Sequence, residues 1–271
     1  MNKYLPKQVQ DAGVIFCSHS GGADSMALLS YLKRMGLLHK VVIVHADLGR
    51  MEWETMQPWI ESNGFGLDCN VVESEEDFFQ MVRRWGRFPS GNQQFCTDFL
   101  KTAPIEKFIH QYMTDNNITH AINATGMRAE ESKRRAKKAD KFYSHGVPVL
   151  KSDMQRPRKH KDHLIDDWMP IFYYLNGEVR DEIKQAGQVL HKIYSEGFSR
   201  LSCVLCINGR IGEHKLAAQM RPELAKEMAE LEREVGKSYR LKQVNKIKYN
   251  RFMDEYIFTP LSKIELKKLG K

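Results

Sequence analysis

Apolar and polar positions along the first half of this chain follow two alternating periods. Val14-Ile15-Phe16-Cys17 is a short apolar run, and Met26, Leu28, Leu29 and Leu32 after it recur at helical spacing. The pattern predicts a strand over Val14–Ser18 and a helix over Ala23–Arg34, with Gly36 as its stop. A β-branched run, Lys40–Val44, reads as a strand buried on both faces and leads into His45-Ala46-Asp47. A helix over Glu52–Ser62, a strand over Leu67–Val72 and a helix over Glu75–Arg84 follow. A further helix over 102–116 and a strand over His120–Ala124 complete the series. Alternation of this kind implies an α/β fold built on a doubly wound parallel sheet.

The polar stretch from Lys151 to Asp167 has no apolar period and reads as an exposed loop. From Trp168 onward the pattern is mostly helical. The expected organisation is an α/β domain over residues 1–150 and a helical C-terminal region over 151–271, with no internal repeat.

The first strand ends in Ser18-His19-Ser20-Gly21-Gly22-Ala23-Asp24-Ser25. Two glycines allow positive φ and close approach of backbone to a ligand. Successive N–H groups then form an anion-binding concavity, to which the helix adds its positive end. Ser20 and Ser25 offer hydroxyl donors, so a phosphate or pyrophosphate is the expected guest. No lysine follows Gly22, which excludes the common P-loop, and the dinucleotide spacing of glycines is absent. Ser20, Asp47 and Gly126 fall at predicted strand C-ends, where ligands of such sheets sit.

The Ser-Gly-Gly-x-Asp-Ser pattern resembles the PP-loop of the adenine-nucleotide α-hydrolase superfamily, the ATP pyrophosphatases. Gly126-Met127-Arg128-Ala129-Glu130-Glu131-Ser132-Lys133-Arg134-Arg135 resembles a segment of its phosphoadenosine phosphosulfate (PAPS) reductase branch, and Trp168-Met169-Pro170-Ile171 resembles another. The resemblance implies a Rossmann-like fold and an adenine nucleotide with Mg²⁺. It implies nucleotide contacts from Ser18, Ser20, Gly21, Gly22, Asp24, Ser25, His45, Asp47, Gly126 and Arg128, with Asp24, Ser25 and Arg128 as the catalytic set. Asp24 suits magnesium, which takes one or two carboxylates beside phosphate oxygens. Arg128 offers a planar fork to phosphate. Glu131 and Arg135 stand four apart and could simply pair. Asp47 could equally serve an Asx turn into the next helix.

Five cysteines change the picture again: Cys17, Cys69, Cys96, Cys203 and Cys206. Cys203 and Cys206 form a C-x-x-C, and thiolates at that spacing suit iron–sulfur clusters or Zn²⁺. Phe95-Cys96-Thr97-Asp98-Phe99-Leu100-Lys101-Thr102-Ala103-Pro104-Ile105 resembles a family segment whose cysteine ligates a cluster together with a later C-x-x-C. The resemblance therefore implies metal ligation by Cys96, Cys203 and Cys206. Phe95 stands where cluster-bearing assimilatory reductases carry a second cysteine. Three ligands leave an open iron in a [4Fe–4S] cluster, unless Cys17, Cys69 or His214 completes the site. Cys17 and Cys69 are expected to be core thiols.

Charge widens the expected partners. The net charge is +8, with dense groups at Arg83-Arg84-Arg87, at Lys133 to Lys138 and at Arg156 to Lys161, and with Lys246, Lys248, Arg251, Lys267 and Lys268 further on. Such clustering favours a polyanion beyond one nucleotide. No apolar run is long enough to span a bilayer, and Met1 to Pro6 has no signal-peptide core, so a cytoplasmic chain is expected.

Together these features imply an ATP pyrophosphatase that adenylates an acceptor, with nucleic acid expected, for sulfur transfer. A sulfur donor such as a cysteine desulfurase is the implied partner, and the pattern lies nearest the DNA phosphorothioation enzymes. Two alternatives stand beside it: a sulfonucleotide reductase using an external thiol, since no cysteine follows Cys206, and a non-catalytic nucleotide- or DNA-binding regulator. A Zn-stapled pyrophosphatase acting on a small molecule is a further one.

Overall fold

A computed structural model describes residues 5–136, 143–144, 147–148, 158–160, 162–240 and 251–258 of the chain. After a short helix α1 (Lys7–Asp11) come β1 (Val14–Ser18), α2 (Ala23–Arg34), β2 (Val41–Asp47), α3 (Met56–Ser62), β3 (Cys69–Glu73) and α4 (Phe78–Trp85). Next are a single turn α5 (Phe95–Thr97), a π-helical turn Asp98–Thr102, α6 (Ala103–Asp115), β4 (His120–Ala124) and α7 (Lys133–Ala136). The strands β5 (Tyr143–Ser144), β6 (Val147–Pro148), β7 (Arg158–His160) and β8 (His163–Trp168) precede α8 (Asn176–Gln185), α9 (Ile211–Met220) and α10 (Pro222–Val235).

The main sheet has the order β3-β2-β1-β4-β8-β7, and β5 pairs with β6 separately. β1 pairs in parallel with β2 and β4, and β4 pairs in parallel with β8, while β7 is antiparallel on the edge. The strand order reverses at β1, as a doubly wound α/β sheet requires. Alternate residues feed two cores. Ile15, Cys17, Ile122, Ala124 and Trp168 face α2 and α8 on one side. Val14, Phe16, Ala121 and Ile165 meet Ile109 and Met113 of α6 on the other.

Two expectations need correcting. The stretch expected to be loop, 151–167, contributes β7 and β8 to the sheet, while 151–157 and 161 lie outside the described residues. The reason is polar satisfaction. Asp166 is buried against His120 Nε2 at 2.9 Å, and Asp167 accepts from Asn123 Nδ2 at 2.8 Å. Partners on β4 let two adjacent aspartates sit in a central strand. The helix expected from Glu52 begins instead at Met56, because Thr55 takes a left-handed φ of 65°.

By internal contacts the chain divides into two compact units, each discontinuous in sequence. The first comprises Met1–His45, Met56–Val72 and Ile105–His191; the second comprises Ala46–Thr55, Glu73–Pro104 and Lys192–Lys271. In the second unit α10 packs its buried Leu224, Ala225, Met228 and Leu231 against α4 and α9. Its Glu232 carboxylate is buried and accepts from three backbone N–H groups, those of Tyr239, Phe252 and Met253, at 2.6, 2.8 and 2.9 Å. No helix among the described residues is long and apolar enough to cross a membrane.

Candidate active site

The loop after β1 lies in the first unit. Gly21 has φ 72°, and its N–H donates to His19 Nδ1 at 3.1 Å. Gly22 is the N-cap of α2 in extended conformation and offers no side-chain cap. The first turn of a 12-residue helix is thus uncapped by any side chain, as an anion site needs. Ser25 shapes the turn from within: its Oγ donates to Gly22 O at 2.9 Å and accepts from Ser20 N at 3.3 Å. Ser20 is exposed, and its hydroxyl lies 3.5 Å from Ser25 Oγ. Ser18 Oγ lies 3.5 Å from Asn123 Oδ1 on β4.

Two histidines lock the loop from behind. His45 Nδ1 donates to His19 O at 2.9 Å, and both rings are buried. Burial, with His45 beside it, pushes His19 down to about 3. Because Nδ1 accepts from Gly21, the neutral His19 ring carries its hydrogen on Nε2, which is buried without a protein partner. His45, expected at the nucleotide, is thus seen holding the loop.

Arg128 is buried, and its guanidinium makes four hydrogen bonds. Nε reaches Asp24 Oδ1 at 2.6 Å, Nη1 reaches Glu130 at 2.8 Å and Tyr174 O at 2.9 Å, and Nη2 reaches Asn176 Oδ1 at 2.9 Å. Burial alone would lower the guanidinium, but Asp24 and Glu130 outweigh it and hold Arg128 above its ordinary value. Burial raises Asp24 despite that neighbour. Arg128 therefore organises Asp24 and its own loop, with little of its fork left for phosphate. Gly126 has a related job. A Cβ there would lie 2.6 Å from Asp24 O and 3.1 Å from Ser25 N, so only glycine lets β4's exit meet the first turn of α2. The close approach expected at Gly126 is made to the protein's own loop.

The remaining expected residues belong to the second unit. Asp47 Oδ1 accepts from Gly49 N at 2.8 Å, the Asx-turn geometry. Cys96 sits in α5, and Cys203 and Cys206 flank a turn that is pinned on several sides. Val204 N donates to Met51 O at 2.9 Å, Trp53 Nε1 to Ser202 O at 2.9 Å and Gly209 N to Cys206 O at 2.7 Å, while the Tyr239 hydroxyl donates to Leu205 O. The Cys203 thiol hydrogen-bonds Cys206. That bond, helped by Arg200 and Lys101, brings Cys206 down to about 5 and pushes Cys203 well up. Arg200 Nη2 lies 3.7 Å from Cys206 Sγ. Burial, with Cys206 nearby, raises Cys96.

Three soft donors in mutual electrostatic contact, one of them a thiolate, fit an iron–sulfur or zinc site in chemistry. Among the described residues, no three His, Cys, Asp or Glu side chains are drawn to coordinating distance, and Cys203 and Cys206 are held as a thiol–thiolate pair. His214 is committed elsewhere: its Nδ1 donates to Arg210 O at 2.8 Å, and burial lowers it to about 4. Cys17 and Cys69 belong to the first unit's core, where burial lifts both to about 12.

The family model of the phosphoadenosine phosphosulfate reductase domain matches residues 14–209. The chain belongs to that family. The matched span includes the Ser18–Ser25 loop, Arg128 and all three clustered cysteines. An uncharacterised protein of Methanocaldococcus jannaschii is 24% identical over 229 residues, or 84% of this chain and 43% of that protein. The chain thus spans less than half the length of this relative. A PAPS reductase of Candida auris, solved as a phosphate complex, aligns with TM-score 0.45 and 10% identity over 72% of this chain and 83% of its own.

Several residues that organise this reductase-family site carry no sequence signal of their own. Glu130, Asn176, Tyr174 and Asn123 in the first unit, and Glu232 in the second, act through hydrogen bonds that no spacing foretells. Of the basic groups, 137–138, 156–157, 161, 246, 248 and 267–268 lie outside the described residues. Arg135 pairs with Glu131, as their spacing allowed.

Proposed function

We propose that this chain adenylates a nucleic-acid acceptor at the expense of ATP and prepares it for sulfur transfer. The observation that carries this reading is the pairing, within one family domain, of an uncapped phosphate loop with three interacting thiols. The first turn of α2 and the Ser20 hydroxyl would hold the pyrophosphate portion of ATP. Asp24 would hold Mg²⁺, and Arg128 is a positioning residue that aims Asp24.

The acceptor oxygen attacks the α-phosphorus. The bond from that phosphorus to the bridging oxygen breaks, pyrophosphate leaves, and the acceptor's proton passes to water. Sulfide then displaces AMP: the new bond to sulfur forms as the bond to the adenylated oxygen breaks, with no net oxidation. A cysteine desulfurase, with a reductant for its persulfide, would supply that sulfide. An iron–sulfur cluster held by Cys96, Cys203 and Cys206 would supply an iron position that binds sulfide, whereas Zn²⁺ there would only fasten the turn.

The test uses anaerobically purified full chain, ATP labelled at the α-phosphate, ³⁵S-sulfide, and DNA or RNA acceptors. The expected result is AMP release that needs the acceptor and ³⁵S in the nucleic acid. Asp24→Asn loses both, while Cys203→Ala loses iron, brown absorbance and ³⁵S transfer. Sulfite formation from PAPS and thioredoxin, without ATP cleavage, would replace this reading with sulfonucleotide reduction.

A further inference from the structure

The second unit carries an exposed aromatic cluster that no step above uses. Helix α4 ends at Trp85, closed by Gly86 in left-handed conformation. Trp85 is 37% exposed and Phe99 39% exposed, two large aromatic rings side by side at the surface. The Trp85 ring stacks on Phe95 with centroids 4.7 Å apart and planes 17° from parallel, and Phe99 lies tilted at 5.8 Å.

Arginines frame these rings. The Arg84 guanidinium lies 5.3 Å from the Phe99 ring centre and 5.9 Å from that of Trp85, and Arg87 lies 5.6 Å from both Trp85 and Phe95. Arg84 is steadied by Glu76 at 2.8 Å and Arg87 by Gln93 at 2.6 Å. Gln93 is neutral, so Arg87 brings net charge to the surface. From Arg83 to Thr97 the sequence has three arginines and no Asp or Glu.

We infer that Trp85 and Phe99, with Arg84 and Arg87, form a stacking platform for unpaired nucleotides. Any base has a π-face to lay on an exposed ring, and neighbouring guanidinium groups take the phosphates. A duplex hides its base faces and cannot use such rings. A second copy of this chain would bring the same arginines against themselves. Cys96 lies between Phe95 and Phe99 in the sequence, so the platform would present an unpaired acceptor beside the thiols. This inference rests on the nucleic-acid reading of the acceptor and narrows it to single strands.

The experiment measures binding of the full chain, without ATP, to a labelled single-stranded oligonucleotide of about 12 nucleotides and to its duplex. The expected result is tighter binding of the single strand, weakened about tenfold by Phe99→Ala or Trp85→Ala. Tryptophan emission should be quenched on binding, and the quenching should vanish in Trp85→Phe, which keeps an aromatic ring on Phe95. Equal binding of duplex and single strand, or quenching that persists in Trp85→Phe, overturns the platform while leaving the acceptor reading intact. Failure of the unaltered chain to bind any nucleic acid overturns both. AMP release with a small-molecule acceptor would then show that the ATP chemistry survives without them.

Discussion

The two units hold their functional groups in different ways. In the first, the glycine-rich loop hangs from a buried parallel sheet, and its shape follows from apolar strands and glycines. Ile15, Phe16 and Cys17 are fully buried, and Gly126 and Gly21 fit where a side chain would not. In the second, the cysteine turn is tied by hydrogen bonds from scattered polar groups: Trp53, Tyr239 and, one step removed, Glu232. A hydrophobic framework spreads its support over many weak contacts. A polar one concentrates it in a few groups whose loss strands buried partners. The first unit should tolerate substitution broadly and fail at glycines; the second should fail at single anchors.

The sharpest way to break this contrast is Glu232→Ala. It strands three buried backbone N–H groups and should cost the second unit roughly 3–5 kcal/mol. Hydrogen exchange should show loss of protection over 211–240 and 251–258 with β1 and β4 still protected. Uniform loss across the chain would erase the distinction.

Gly126→Ala attacks the first unit at its own weak point. The added Cβ meets backbone at 2.6 Å, so α2 must shift, at about 1–3 kcal/mol. Nucleotide affinity, followed by calorimetric titration, should fall more than thermal stability does. An unchanged ATP affinity would show that the loop adjusts independently of β4.

The smallest effect concerns pH. Burial, aided by Asp47 and opposed by Lys101 and the Leu48 and Trp53 backbone N–H groups, raises Glu52 to about 7 from 4.5. Folding therefore takes up a proton between those values. The associated stability is fully present below pH 4.5 and is lost as pH rises through 7. Glu52→Gln should melt like the unaltered chain at low pH and above it, by about 1–3 kcal/mol, past neutrality. Parallel melting curves at every pH would remove Glu52 from the account.

The same contrast governs what could be read from sequence. β1, α2 and β4 appear with the limits the apolar pattern gives them, because each buries its own periodic face. The glycine-rich turn was equally legible, since positive φ has few other solutions. β8 was hidden because Asp166 and Asp167 look solvent-seeking until His120 and Asn123 are placed beside them. Arg128 was visible as a cation, but its commitment to Asp24, Glu130 and Asn176 depends on loops far apart in sequence. The Asx turn at Asp47 and the withdrawal of His214 into Arg210 are similarly choices between local partners that composition does not rank.

The contrast among the five cysteines has a practical reach of its own. Cys17 and Cys69 are buried with their thiols at about 12, while Cys96, Cys203 and Cys206 are only partly covered. A thiolate-seeking alkylating reagent on the folded chain should therefore react first at Cys206, the lowered member of the pair, reach Cys96 and Cys203 more slowly, and modify all five only after denaturation. Labelling stoichiometry by intact mass thus becomes an occupancy gauge: whatever ligates the outer three subtracts from the native count and leaves the denatured total as an internal standard.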